Sequence, residues 1–220
     1  MTDRSDSGAR GVRQYSAKKF VACVAGLLLV GTGVWFALTT GLQRLPSKVC
    51  DGAVDRGLVI RTLPRTRTAD EGAERRREGT DLRFSCHVYT SADSILSGVA
   101  RVDDASPQTW LAHYGGSGAR RTVRVSSDGI EALAEIDGEG TSSSVYVACT
   151  PRGVRAGSAN QSYAVVAEAH VVGKTRVSGV TLGQALTDFA YQLTNHAYEL
   201  AECKEPRRFP DELPRYKDRR

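Results

Sequence analysis

The chain has 220 residues, of which 40% are hydrophobic and 25% are charged, as in folded proteins rather than wholly disordered ones. Its net charge of +5 is uneven: residues 1–19 hold five basic and two acidic residues, residues 204–220 hold seven and four, and residues 20–203 hold 18 and 19. A nucleic-acid-binding domain concentrates basic residues on its folded part, so this distribution argues against nucleic acid as a partner.

The first element is an uncharged apolar run over residues 20–42, from Phe20 to Leu42. A helix rises about 1.5 Å per residue, so this run is long enough to cross a hydrocarbon layer of about 30 Å. Trp35 and Phe36 lie toward its far end, where aromatic residues favour the membrane interface. The run therefore predicts a transmembrane helix with the lipid bilayer as its partner.

Three other readings of this run fit less well. A buried core helix would have a polar face, which the run lacks. A cleaved signal peptide has an apolar region of about 7–15 residues and small residues after it, whereas Ala37, Leu38 and Thr39 match such a site poorly. A lipoprotein cysteine follows the apolar stretch, but Cys23 begins it, and Lys48 stands close before Cys50. An uncleaved anchor fits best.

The flanking charges predict the orientation of the anchor. Five basic residues precede it, whereas only Arg44 and Lys48 follow closely. Cytoplasmic flanks carry the excess of positive charge, so residues 1–19 are predicted to form a cytoplasmic tail. Residues 43–49 then form a linker, and residues 50–203 form a domain outside the cell membrane.

Five cysteines constrain that domain. Cys23 lies in the predicted span, and the other four lie outside it, where conditions are oxidising: Cys50, Cys86, Cys149 and Cys203. An even number predicts two disulfides, with three connectivities. No paired spacing of cysteine and histidine typical of a zinc site occurs, so no metal or other cofactor is expected.

The segment DLRFSCHVYT, residues 81–90, sets Cys86 beside His87. Apolar residues alternate there as in a strand, so Cys86 points into the core and His87 away from it. The two side chains cannot form a nucleophile–base pair with each other. In residues 143–150 the same alternation turns Cys149 inward. Each strand cysteine needs a partner from a helix, and we predict the pairs Cys50–Cys86 and Cys149–Cys203.

The remaining pattern gives the order of elements. A short helix is predicted from Cys50 to about Leu63, where Pro64 stops it, and the charged residues 65–81 are predicted to be a solvated loop or a frayed helix. A helical turn follows Pro107, and a long amphipathic helix spans residues 181–203, capped by Thr181, with Tyr191 and Tyr198 opposite its apolar stripe. Strands are expected at 81–90, 94–103, 121–126, 130–137, 143–150 and 161–172.

The order helix, strands, helix predicts an α+β fold in which a mostly antiparallel, disulfide-linked sheet packs against a short N-terminal and a long C-terminal helix. Residues 204–220 carry three prolines and dense charge, and disorder is expected there.

Few residues suggest chemistry. Gly115, Gly116, Ser117 and Gly118 precede Arg120 and Arg121, but they match no phosphate-binding pattern and favour a turn. Glu168 and His170 share one face of a strand, which is typical of surface pairs more often than of acid–base catalysts. His196 is interpreted as a packing residue, and His113 lies in a loop. No hydrolase motif is present, and no catalytic residue is predicted.

The chain resembles uncharacterised membrane-anchored proteins of high-GC actinobacteria, such as Streptomyces. The resemblance rests on the basic tail, the apolar run, the segments RFSCHV and VYVACT, and the terminal ALTDFAYQL and AYELAEC. The 24 arginines against 6 lysines suit such a genome. The resemblance implies the anchored topology and the disulfides, and it implies no activity.

Three functions remain open. The favoured hypothesis is a non-catalytic module that binds or senses an unknown ligand or protein at the cell envelope. The second is a membrane-tethered hydrolase that uses His170 or His113, and the third is an accessory subunit whose tail or span contacts a membrane complex.

Overall fold

A computed structural model describes residues 17–115, 121–136, 141–152 and 162–217. The chain divides into two compact units, one ending at Leu38 and one beginning at Thr39. The first contains helix α1, Ala17–Thr39, whose side chains are described from Phe20 to Trp35. Among the described residues, no helix has the length and hydropathy needed to cross a membrane, and the predicted span stays a prediction.

The second unit is built on a seven-stranded antiparallel sheet with the order β3-β4-β5-β9-β8-β7-β6. The strands are β3 Ala69–Glu78, β4 Asp81–Thr90, β5 Ile95–Asp104, β6 Thr122–Ser127, β7 Ile130–Glu135, β8 Ser142–Ala148 and β9 Tyr163–Val172. The α+β class and the antiparallel sheet are confirmed. The six predicted strands agree with β4–β9 to within two residues at each end, because buried and exposed residues alternate along most of them. Residues 137 and 161, which belonged to two of the predicted strands, lie outside the described residues.

One face of the sheet carries the long helix α4, Gly179–Ala201. Leu186, Phe189 and Leu193 are fully buried against the strands. The helix approaches β5 so closely that a Cβ added at Gly98 would lie 2.6 Å from Leu193 Cδ1 and 2.8 Å from Phe189 Cε1. The helix begins after Ser178 and not after Thr181, which lies inside its first turn.

The N-terminal part of this unit covers the same face beside α4. It contains the short strands β1, Lys48–Val49, and β2, Val54–Asp55, followed by helix α2, Arg56–Thr62. The prediction of a helix from Cys50 is wrong for residues 50–55, because Cys50 and Asp51 both have φ of 54° and form the turn between β1 and β2. The prediction of a linker at 43–49 is also wrong, since Leu45 and Val49 are buried in the core.

The charged segment after α2 is not a loop or a frayed helix. Residues 69–78 form β3, which pairs along its whole length with β4. β3 is an edge strand with mostly exposed side chains, so it shows none of the apolar alternation by which a strand is recognised.

Both predicted disulfide pairs are present, Cys50–Cys86 and Cys149–Cys203. The first joins the turn after β1 to β4, and the second joins the end of β8 to the end of α4. All four sulfurs therefore lie on the α4 face of the sheet.

Disorder in the C-terminal tail is not what the structure shows for residues 204–217, although they form no helix or strand. This segment, which we call the C-terminal strap, returns along α4 toward its start. Tyr198 donates a hydrogen bond to the carbonyl of Glu205, Tyr191 donates one to that of Pro210, and Leu213 and Tyr216 are buried. The strap explains why Tyr191 and Tyr198, which lie opposite the apolar stripe of the helix, are buried. Residues 218–220 lie outside the described residues.

Candidate functional site

The opposite face of the sheet is covered by one short helix, α3, Pro107–Tyr114. Pro107 occupies its first turn, and Ser106 forms a capping box with Thr109, which fixes where the helix begins. Trp110 is 1% exposed, packs on Tyr146 with ring centroids 5.6 Å apart, and donates a hydrogen bond of 2.9 Å to the Ser144 hydroxyl. The buried indole therefore helps to hold α3 on the sheet.

This helix brings the predicted titratable residues together. His113 from α3 and Glu168 and His170 from β9 line one pocket of about 120 Å³, with Ser142 and Ser144 from β8. It has room for a few waters or a small polar group, not for a drug-sized ligand.

Glu168 is the most strongly bonded member of the pocket. Arg101 Nη1 donates a hydrogen bond of 2.7 Å to Glu168 Oε1, and the Tyr114 hydroxyl donates to the same oxygen. Arg101 Nη2 also contacts the Tyr114 hydroxyl at 3.1 Å, and Arg101 Nε binds Asp103 Oδ2 at 3.1 Å. The carboxylate of Glu168 is therefore neutralised within the protein and ties α3 to β5 and β9.

The pKa values of its partners agree with this role. Burial raises the pKa of Tyr114, and the hydrogen bond to the Glu168 carboxylate raises it further. Burial acts to lower the pKa of Arg101, but Tyr114, Asp103 and Glu168 outweigh it, and the pKa is raised. Tyr114 stays a neutral donor and Arg101 a cation, as the network requires.

The serine and histidine side chains of the pocket are not assembled for nucleophilic catalysis. Ser144 accepts the hydrogen bond of Trp110, and Ser143 faces α4, where its hydroxyl contacts Thr187 at 2.6 Å. His113 packs edge-on against Tyr114, with ring centroids 4.6 Å apart, and His170 is exposed. Within residues 17–115, 121–136, 141–152 and 162–217, no serine hydroxyl is hydrogen-bonded to a histidine ring.

In the described part of the chain, few side chains are placed for metal binding or thiol chemistry. No three side chains of histidine, cysteine, aspartate or glutamate are grouped there to hold a metal ion. Cys23, on α1, is the one cysteine outside the disulfides.

The alternation predicted for β4 is confirmed. Cys86 is fully buried, whereas His87 lies on the other face and packs against Tyr89, with ring centroids 5.0 Å apart. On that face Tyr89 lies beside Ile95 on β5, and Ile95 lies beside Val172 on β9. Tyr89 and Val172 are 47% and 56% exposed, and no other large hydrophobic side chain described in the second unit is exposed.

His196 is a packing residue, as predicted. Its ring centroid lies 4.7 Å from that of Phe84, and burial lowers its pKa.

A larger cavity, which the sequence does not reveal, lies at the border of the sheet. We call it the β6 groove: about 600 Å³, lined by residues 121–126 on one side and 214–217 of the strap on the other. Of the glycine-rich turn predicted before it, Gly116, Ser117, Gly118 and Arg120 lie outside the described residues. Gly115 ends α3, and Arg121 lines the groove. The cavity was missed because its second wall is the segment that composition assigns to disorder.

Comparison with known proteins finds no family model, no curated relative and no solved structure that matches the chain.

Proposed function

We propose that the chain is a membrane-anchored protein whose disulfide-linked domain lies outside the cell membrane and binds a partner there without catalysis. The observation that carries this proposal is the apolar surface of α1. Among the described residues, α1 exposes nine large hydrophobic side chains, and each of them is 39% to 75% exposed: Phe20, Val21, Val24, Leu27, Leu28, Leu29, Val30, Val34 and Trp35. A surface of this kind is stable in lipid and unfavourable in water.

Two further observations support the location of the domain. Disulfides persist in oxidising compartments, and both bridges of the domain are closed. The basic residues before the apolar run outnumber those after it, which favours an N-terminus in the cytoplasm. The resemblance to membrane-anchored actinobacterial proteins agrees with this topology and remains part of the proposal.

Binding is favoured over hydrolysis by the state of the pocket under α3. Its carboxylate is held by Arg101 and Tyr114, and Ser144 already accepts a hydrogen bond. A hydrolase needs a nucleophile activated by a base within hydrogen-bonding reach. The hydrolase alternative is supported by the fact that His113, Glu168 and His170 line one pocket, although His113 is distant from the other two in the sequence.

The anchor can be tested by fractionating cells that express the full chain. The wild type should stay in the membrane pellet after alkaline carbonate extraction. The double variant Leu27→Arg/Leu28→Arg should be extracted, because each charge at the centre of a span costs about 2.5–3.5 kcal/mol. The matched control, Leu27→Ile/Leu28→Ile, should behave as wild type. A wild-type chain found in the soluble fraction would refute the anchor.

The orientation and the lack of catalysis need separate measurements. An epitope tag placed after Arg220 should be reached by antibody in spheroplasts that have not been permeabilised; staining only after permeabilisation would contradict the proposed orientation. Purified chain should show no ester or amide hydrolysis that depends on the pocket. An activity lost in His113→Ala or His170→Ala, with thermal stability unchanged, would establish the hydrolase instead.

A further inference from the structure

The β6 groove follows one of the two open edges of the sheet. The two-residue hairpin at Asp128 and Gly129, with φ of 51° and 73°, fixes the register of β6 on β7. Ser127 and Ile130 therefore form a hydrogen-bonded pair, and such pairs recur at every second residue. The hydrogen bond of 3.0 Å from the Ile136 amide to the Arg121 carbonyl shows that the same alternation of hydrogen-bonded pairs continues to the other end of the strand.

The intervening residues of β6 direct their backbone groups away from the sheet. These are Thr122, Arg124 and Ser126, whose amides and carbonyls point into the groove. Among the described residues, none of these six groups has a hydrogen-bond partner. An edge of this kind is a template for one more strand.

The opposite wall is held in place by the core. The Tyr216 amide donates a hydrogen bond of 2.9 Å to Gln184 Oε1, and its hydroxyl lies 2.9 Å from Thr187 Oγ1. Arg215 Nη1 binds Asp188 Oδ2 at 2.9 Å. The strap is thus fixed on α4 beside β6, and the groove lies between the strap and the edge of the sheet.

The charged side chains that line the groove are all basic: Arg121, Arg124, Arg215 and Lys217. Arg124 and Arg215 are held by acidic residues outside the lining, and Arg121 also has an interaction partner. Lys217 is exposed and has no acidic partner among the described residues. Between the charges, Val123 and Val125 present half-buried apolar side chains.

We propose that the β6 groove binds an extended peptide segment in which acidic residues alternate with small apolar residues, as an added strand on β6. The exposed backbone groups would give affinity, the valines would accept the apolar side chains, and the cations would select the acidic ones. The five residues from Thr122 to Ser126 span about 17 Å, so five residues of partner fill the site. The inference rests on the proposed binding role, although not on the anchor.

The test uses the full chain in nonionic detergent and a fluorescent, acetylated and amidated pentapeptide of alternating glutamate and valine. Fluorescence anisotropy should show saturable binding that weakens with added salt. The same peptide with lysine in place of glutamate should not bind. Two further versions of the peptide carry N-methyl groups on alternate amides, one on the odd-numbered residues and the other on the even-numbered residues. One version should fail to bind and the other should still bind, because only alternate residues face β6.

Two protein variants with matched controls locate the site. Thr122→Pro removes an outward amide without breaking a bond to β7 and should weaken binding about tenfold, whereas Thr122→Val should change it less than about twofold. Lys217→Glu should weaken binding about threefold or more, whereas Lys174→Glu, the same charge change at an exposed position outside the groove, should change it less than about twofold. Circular dichroism and thermal melting confirm that each variant is folded.

Three outcomes would overturn the inference. One is the absence of saturable binding by a folded chain that still fractionates with the membrane, which would leave the anchored role standing. Another is equal binding of the lysine peptide or equal affinity of Thr122→Pro. The last is self-association, measured by sedimentation, that Thr122→Pro abolishes while neither peptide binds, since the edge would then take a second copy of the chain.

Discussion

The two faces of the sheet differ in what covers them. The α4 face is covered by three segments of chain, namely the N-terminal segment from Thr39 to Leu63, α4 and the C-terminal strap, and both disulfides lie on it. The α3 face carries one helix of eight residues, attached by a buried tryptophan and a network of polar bonds. Among the described residues, the α4 face therefore carries more of the buried core than the α3 face.

The largest expected effect comes from opening a disulfide on the covered face. The double variant Cys149→Ala/Cys203→Ala should lower the free energy of unfolding by about 4 kcal/mol, because a loop of 54 residues regains its freedom in the unfolded chain. Urea denaturation measures the loss. The variant should also be cleaved faster by trypsin at Arg207, since the bridge holds the start of the strap.

The other bridge supplies the control for that experiment. The Cys50–Cys86 bridge closes a loop of 36 residues, so Cys50→Ala/Cys86→Ala should cost nearly as much free energy of unfolding, without speeding cleavage at Arg207. Equal cleavage in both variants would show that the strap depends on overall stability and not on its own bridge.

A leucine truncated on each face compares the two layers directly. Leu186→Ala, fully buried under α4, should cost roughly 2–5 kcal/mol. Leu111→Ala, partly buried on α3, should cost less than about 1.5 kcal/mol, because water already reaches that side chain. Chemical denaturation gives both values. Similar losses would mean that α3 is as much a part of the core as α4.

Helix capping gives a smaller contrast. Ser106 caps α3 through its side chain, so Ser106→Ala should destabilise the protein by about 1 kcal/mol. Ser178 precedes α4 but makes no side-chain capping bond, and Ser178→Ala should have little effect. Thermal melting shows which of the two variants loses more stability. A larger loss in Ser178→Ala would show that α4 needs a capping residue in spite of its burial.

The smallest effect is a pH dependence on the covered face. Burial lowers the pKa of His196, with Glu199 and Asp51 acting to raise it and Arg75 acting to lower it. The unfolded chain therefore binds a proton more readily below about pH 6.5, and the free energy of unfolding falls as the pH drops through that value. His196→Leu should flatten this decline between about pH 7 and pH 5 in urea titrations.

The sequence pattern predicted those helices and strands that have one buried side. Strands β4–β9 and α4 follow from apolar spacing, and the disulfide pairs follow from inward cysteines on two strands. β3 was missed because it has a mostly polar, exposed sequence and is held by pairing with β4, which is a property of the partner and not of its own residues. The strap was missed because its few anchors, such as Leu213 and Tyr216, are separated by prolines and charges.

The candidate sites were harder to predict from the sequence, because they too depend on contacts between distant segments. His113, Glu168 and His170 were singled out, but their meeting depends on α3 folding back over β8 and β9. The β6 groove depends on two segments 88 or more residues apart, and neither carries a local signal of the other. A deletion of the C-terminal strap, made to test the accessory-subunit hypothesis, would also remove the buried residues Leu213 and Tyr216, so it would report on folding first.

The run Arg75-Arg76-Arg77 on β3 has a consequence for how copies of this chain meet. It lines the border of the sheet farthest from β6, with all three side chains exposed. The same strand carries Asp70, Glu71, Glu74 and Glu78, and Arg76 binds Glu74 at 2.7 Å. Pairing a second strand with this border would bury charged groups of both signs, which disfavours such pairing. A segment whose composition predicts a loop thus protects an open edge of the sheet from pairing with other strands.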